Sequence, residues 1–200
     1  MFHLTQPTVA TIDRKVAAAG NLPSNSPSGL SLGNGLDPTA RLPIGFVHDR
    51  SYSCIGRGEA AFAAARQAFR RWAMFDLGWV RVANPAAPIE RGQIIAMEAH
   101  TLGLYTLNLS RIMETVDTAS RFGLLYATTP LHVEQGAERF LLEFDAATGD
   151  VHYLLEAISR PRHLFARLGW PISRALQHQF ARESHRRMSE VALAPGAILS

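Results

Sequence analysis

From Gly78 to Ser159 the chain repeats one pattern: a short apolar-rich run that reads as a strand, then a turn signal. The runs are Gly78–Ala83, Gln93–His100, Leu104–Val116, Arg121–Thr128, Glu138–Ala146 and Val151–Ser159. Asn84-Pro85 with Pro88, Thr101–Gly103, Asp117–Ser120, Pro130 and Ala147–Asp150 divide them. A seventh run, Phe46–Cys54, comes earlier and is broken by Gly56-Arg57-Gly58. Glu59 to Phe75 then reads as a helix, because Phe62, Phe69 and Trp72 fall on one face. After the last strand, His163–Glu190 reads as one long helix. Leu164, Leu168, Ile172, Leu176 and Phe180 recur every four residues, Met188 lies further on, and Pro171 is expected to kink or divide the helix. Leu168, Leu176 and Phe180 are expected to be largely buried. Seven antiparallel strands cannot hide their apolar face by themselves. A helix of about 25 residues is nearly 40 Å long, enough to lie across them. Strands in one run with helices at the ends predict an α+β fold rather than βαβ winding.

The rest of the composition bounds the class. The chain has 200 residues, 47% hydrophobic and 18% charged, which suits one globular core and excludes a largely disordered or collagen-like chain. The single Cys54 excludes an internal disulfide framework and reads as a structural thiol. No stretch approaches the length of a transmembrane helix, and Met1 to Lys15 lack the apolar stretch of a secretory signal, so a cytoplasmic protein is expected. The net charge of +3 is low for a nucleic-acid-binding face, so no nucleic acid is expected as a partner. The dense basic group Arg174, Arg182, Arg186 and Arg187 reads as the solvated face of a helix or as a handle for acidic surfaces. Before Phe46, Pro7 to Ala19 reads as a short helix started near Thr8 and ended at Gly20. Asn21 to Thr39 is rich in breakers and is expected to be irregular, with little apolar area to bury. This divides the chain into a short helix with an irregular segment over 1–45, one domain over 46–190 and a tail over 191–200.

The order strand, helix, six strands, long helix resembles the helix-grip fold of START, Bet v 1 and polyketide-cyclase-type proteins. That resemblance implies a seven-stranded antiparallel sheet wrapped on the C-terminal helix, with an apolar cavity between them. A closer resemblance is carried by Leu42-Pro43-Ile44-Gly45-Phe46, Ile55-Gly56-Arg57-Gly58, Gly78-Trp79-Val80-Arg81-Val82 and Arg121-Phe122-Gly123-Leu124-Leu125-Tyr126. It continues in Gly136-Ala137-Glu138-Arg139-Phe140, Ser159-Arg160-Pro161-Arg162-His163, Leu168-Gly169-Trp170-Pro171 and Gln177 to Met188. On these residues the chain resembles the bacterial and plant family called domain of unknown function 1990. Where a Tyr-Gly-Thr-Leu-Pro-Gly-His run is expected, the chain has Tyr126-Ala127-Thr128-Thr129-Pro130-Leu131-His132. The resemblance implies a fold and carries over no activity.

The residues themselves nominate a site. Alternation places Tyr105, Leu107, Leu109, Arg111 and Met113 on one face of their strand, and Phe122, Leu124 and Tyr126 on one face of the next. A hairpin turn centred between Thr118 and Ala119 sets Arg111 opposite Tyr126, with Glu138 diagonal to Tyr126. Arg111, Tyr126 and Glu138 are then expected together on the inward face. They form either a structural ion pair with a tyrosine partner or a polar anchor at one end of a cavity, suited to a carboxylate or phosphate. His132, in the next loop, reads as a locally bonded residue or as a general acid or base at the cavity mouth. Arg160 is a further ligand-binding candidate, and His163 reads as capping or packing at the start of the last helix. No metal-ligand spacing, phosphate loop, dinucleotide fingerprint or nucleophile elbow occurs, so no cofactor or metal is expected. The reading favoured is a non-enzymatic protein that binds a small apolar or amphipathic molecule. The alternatives are a cyclase- or hydrolase-like enzyme using Tyr126, His132 and Glu138, and an interaction protein with a filled core.

Overall fold

Strand hydrogen bonding decides the architecture. The computed structural model describes residues 2–24, 30–33, 35–36, 41–161 and 170–194. In chain order the elements are β1 (Phe2–His3), α1 (Val9–Gly20), β2 (Val47–Arg57), α2 (Glu59–Arg70), a 3-10 turn (Ala73–Phe75), β3 (Val80–Val82), β4 (Ile94–Thr101), β5 (Leu104–Asp117), β6 (Arg121–Thr128), β7 (Glu134–Phe144), β8 (Asp150–Pro161) and α3 (Trp170–Leu193). The sheet runs β2-β8-β7-β6-β5-β4-β3, antiparallel throughout, with the short β1 added beside β5. Each expected strand is present, and β1 is an eighth that the pattern does not announce. β7 begins at Glu134, four residues before the expected start at Glu138.

The concave face carries the main core. Phe122, Leu124 and Tyr126 of β6, Phe140 and Leu142 of β7, and Val151, Tyr153 and Leu155 of β8 meet Phe62 and Phe69 of α2, the 3-10 turn and α3. Phe69 stands edge-on to Phe122 with ring centres 5.2 Å apart. Each such ring is worth about 1.5–3 kcal/mol when fully buried. The expected Glu59–Phe75 helix is divided: α2 ends at Arg70, and Trp72, at φ 62, turns the chain into the 3-10 turn.

α3 is a one-piece helix from Trp170, with Pro171 in its first turn. Proline is tolerated in a first turn because its missing N–H would have no intrahelical partner; the expected kink or division at Pro171 involves 163–169, which lie outside the described residues. The expected start at His163, with Leu164 and Leu168, lies outside the described residues. In the C-terminal half of α3, Ser184, Met188 and Ala192 are buried. Leu176 and Phe180, expected to be largely buried, are half-buried, because the N-terminal half stands off the sheet over a cavity that both side chains line.

The convex face is covered as well. α1 lays Ile12 and Ala19 on Ile94, Ala96, Leu107 and Leu109. The helix begins at Thr8, whose hydroxyl accepts from the Thr11 N–H. Leu30 and Leu32 pack on Leu125, Ala127, Ala137 and Ile158. The described part of 21–39 has no helix or strand, as its breakers predict, yet Leu30 and Leu32 are buried, against the expectation that the segment has little to bury.

Charged side chains hold this covering. Arg139 and Glu156 face each other across β7 and β8, both buried, with Nη2 to Oε2 at 2.6 Å. Arg139 also donates to the Ser31 and Leu32 carbonyls, and His48 reaches the other Glu156 oxygen at 2.8 Å. Arg121 donates to the Leu32 carbonyl, and Glu114 accepts from the Leu32 N–H. Arg111 donates to the carbonyls of Ala19, Gly20 and Leu22 at the end of α1, at 3.1, 3.1 and 2.9 Å. These carbonyls lie at the C-terminal end of α1 and just past it, where the helix dipole is negative.

Two stability outcomes follow. Arg139→Met leaves the Glu156 carboxylate buried without its guanidinium and should cost about 3–5 kcal/mol in denaturant unfolding, with Arg139→Met/Glu156→Leu milder than the single change. Arg111→Met should speed hydrogen exchange in α1 while the amides of β6 and β7 stay protected.

Candidate functional site

A cavity of about 680 Å³ lies between the concave face and the N-terminal half of α3. Its apolar wall includes Phe75, Val80, Met97, Leu155, Leu176 and Phe180. Its polar groups come mainly from β7 and the elements beside it. Residues 134, 136 and 138 share the inward face of β7. Gly136, between the two glutamates, has no room for a side chain: a Cβ there would stand 2.0 Å from the Ile158 carbonyl oxygen and 2.8 Å from the Ser159 Cα. Glycine lets β8 close in at that point, with Glu134 and Glu138 on either side of it.

Glu138 lies directly opposite Tyr126 in the ladder, and the Tyr126 hydroxyl donates to its Oε2 at 2.6 Å. The Gln177 amide of α3 donates to both Glu134 oxygens at 3.0 and 2.9 Å, and to the Ser159 hydroxyl. Nearer the opening, Asp49 of β2 receives two hydrogen bonds from the Arg174 guanidinium, which also donates to the Gln177 side-chain oxygen. His132 is buried in the wall, and its Nδ1 accepts from the Glu134 N–H at 3.0 Å.

Burial pushes the Glu138 carboxyl up to about 7, against the Tyr126 hydrogen bond, which favours the ionised form. Burial, with the Glu138 charge added, pushes Glu134 up to about 7 as well, against the Gln177 amide and the Arg174 charge. Burial and the Glu138 charge hold the Tyr126 hydroxyl well above its ordinary value, so it serves as a neutral donor. The arrangement can take up or release protons near neutrality at the end of an apolar chamber.

The expected constellation is half assembled. Tyr126, Glu138 and His132 line the cavity, and Tyr126 and Glu138 are bonded. Arg111 is not with them, and neither reading offered for it holds. It pairs in register with Ala127, not Tyr126, and a bulge at Met113 shifts the ladder again toward the turn. A one-residue slip moves a side chain to the other face of a sheet. Leu107, Leu109 and Arg111 do share a face, and it is the convex one beneath α1. Arg160 also faces away, donating to Gln135 and lying 4.8 Å over the Phe46 ring. His163 lies outside the described residues. Glu134, Gln177 and the Asp49–Arg174 pair were not anticipated. For Glu134 a signal existed, since it shares the period of Glu138 with a glycine between them. Among the described residues no group of three or more His, Cys, Asp or Glu could hold a metal ion, and no helix is long and apolar enough to cross a membrane.

A family model described as Domain of unknown function (DUF1990) matches residues 33–187. The chain belongs to this family. Relatives span it well: a UPF0548 protein of Deinococcus radiodurans is 33% identical over 96% of this chain and 99% of its own length. A UPF0548 protein of Dictyostelium discoideum is 32% identical over 67% of each chain. Among solved structures, the Zhui aromatase/cyclase from Streptomyces sp. R1128 superposes with a TM-score of 0.50 at 12% identity, over 74% of this chain and 93% of that one. At that identity the likeness establishes the helix-grip fold of the family member and nothing about its chemistry.

The raised carboxyls make stability depend on pH. Below about pH 4.5 both are protonated whether the chain is folded or not. Between about 4.5 and 7 the unfolded chain releases protons that the folded chain still holds, so stability falls as pH rises through that window and stays low above it. Glu138→Gln should therefore gain on the wild type by on the order of 1–3 kcal/mol between about pH 5 and pH 8, measured by urea unfolding at each pH.

Proposed function

We propose that this protein binds a small molecule with an apolar body in the cavity between the sheet and α3. The observation that carries the reading is the chamber itself: about 680 Å³, walled by aromatic and aliphatic side chains, with a few polar groups gathered at β7. Ligand pockets are typically about 300–1,000 Å³ and built in this way. Arg111, the candidate anchor for a carboxylate or phosphate, is committed to α1 on the other face. The polar anchors are instead Tyr126, Glu134 and Glu138, with His132 in the wall beside them. Among the described residues the space between the sheet and α3 is open, which favours binding over a filled core.

An enzyme on the same scaffold is the second reading, favoured by one observation. The Glu138 carboxyl stands at about 7 and is bonded to a tyrosine at 2.6 Å inside the chamber. A carboxyl near working pH is suited to proton transfer.

Native mass spectrometry of protein purified from its own host should show one small molecule retained per chain. The neutral dye Nile red should bind saturably. Ala157→Phe, which fills the wall opposite Glu138, should weaken that binding at least about tenfold while the melting temperature holds. Absence of both a retained molecule and saturable dye binding overturns the reading. If wild type converts the recovered molecule and Glu138→Gln does not, the enzyme reading replaces simple binding.

A further inference from the structure

We infer that the ligand of this cavity is an organic cation, an amine carried on an apolar body and seated against the Glu138 and Glu134 carboxylates. The inference rests on the binding reading above and deepens it.

The argument starts from how the protein treats its carboxylates. Glu156 on the convex face has Arg139 and His48. Asp49 at the cavity opening has Arg174. Glu98 has Arg81. Inside the cavity, among the described residues, neither Glu134 nor Glu138 forms an ion pair. Their hydrogen bonds come from neutral groups, a tyrosine hydroxyl for Glu138 and a glutamine amide for Glu134, while the Arg174 charge, bonded to Asp49, acts on Glu134 only through space. A carboxylate withdrawn from water is costly without a positive partner. Burial raises both carboxyls to about 7, so near neutrality each holds its proton for part of the time. A cation entering the chamber supplies the missing partner and releases those protons.

The surrounding charges favour the same ligand. From β2, Asp49 adds negative charge, while the side chain of Arg50 lies 5.9 Å over the Tyr52 ring. From β6 and β8, Tyr126 and Tyr153 are held neutral by burial. From the loop before β7, His132 accepts a backbone hydrogen bond. From α3, Arg174 is engaged by Asp49, His178 meets Arg174 at 3.2 Å, and Arg182 is exposed. Phe75, Trp79 and Phe180 add rings to the lining, and aromatic faces attract cations within about 6 Å. An anionic ligand would meet two carboxyls in place of the arginine expected there.

The test uses three probes of one shape: phenethylamine, phenethyl alcohol and phenylpropionate, titrated calorimetrically into the full chain, with Nile red as the control for an intact chamber. At about pH 8 the amine should bind at least about tenfold more tightly than the alcohol, and the anion most weakly. By about pH 5.5, where both carboxyls are protonated, that preference should shrink to about threefold or less. In Glu134→Gln/Glu138→Gln the preference should vanish while the alcohol and Nile red still bind. The single Glu138→Gln variant, which removes a costly buried charge, should fold at least as well as wild type at pH 8 and lose part of the preference. Alcohol or anion binding as tightly as amine while Nile red binds overturns the cation inference and leaves the binding reading standing. Failure of all three probes and Nile red overturns both.

Discussion

An antiparallel sheet this wide must cover its concave face, and α3 covers only half of it closely. The 24 residues of α3 span about 36 Å, which reaches across the strands. Its C-terminal half is seated by Ser184, Met188 and Ala192, with Tyr153 and Ser184 bonded at 2.9 Å. α2 and the 3-10 turn fill that end with Phe62, Phe69 and Phe75. Among the described residues no second helix fills the other end. Leu176 and Phe180 therefore border a chamber, Phe180 with one side on the Phe75 and Phe140 rings, and the polar residues of β7 find themselves inside it.

Two glutamates two strand-steps apart could have been a surface feature. Gly136 turns them into a site, because the missing Cβ lets β8 approach where a side chain would collide with the Ile158 carbonyl. The chamber walls leave both carboxyls half-buried, and that burial raises their proton affinity. On the convex face charged side chains are structural: Arg139, Arg121, Glu114 and Arg111 each grip a backbone group of the N-terminal segment. Charged side chains on the convex face thus fasten the chain, while Glu134 and Glu138 in the cavity have no ion-pair partner among the described residues.

Much of this was legible in the residues. Period-two runs divided by Gly, Pro, Asn and Asp located β2 to β8 to within a few positions, because alternation and turn chemistry are local properties. Thr8 and Gly20 bracketed α1 for the same reason. Tyr126 and Glu138 were legible as near neighbours on one inward face, expected as a diagonal pair and found directly opposite, because both sit on inward positions of neighbouring strands. Glu134 was lost by starting β7 at Glu138, although the glycine between them and the shared period pointed to one continuous strand.

The sequence by itself determined the order of elements, the fold class, the family and the apolar face of each strand and helix, since these depend on spacing within short segments. Only the tertiary structure decided which face of β5 points inward. Its alternating Leu107, Leu109 and Arg111 fit a concave core as well as a convex surface roofed by α1. The choice turned on the hairpin register and the bulge at Met113, where one residue reverses every side chain beyond it. That slip took Arg111 out of the cavity and fastened it to the end of α1. The polarity of the chamber, acidic rather than basic, was therefore set by strand pairing, which no local pattern records.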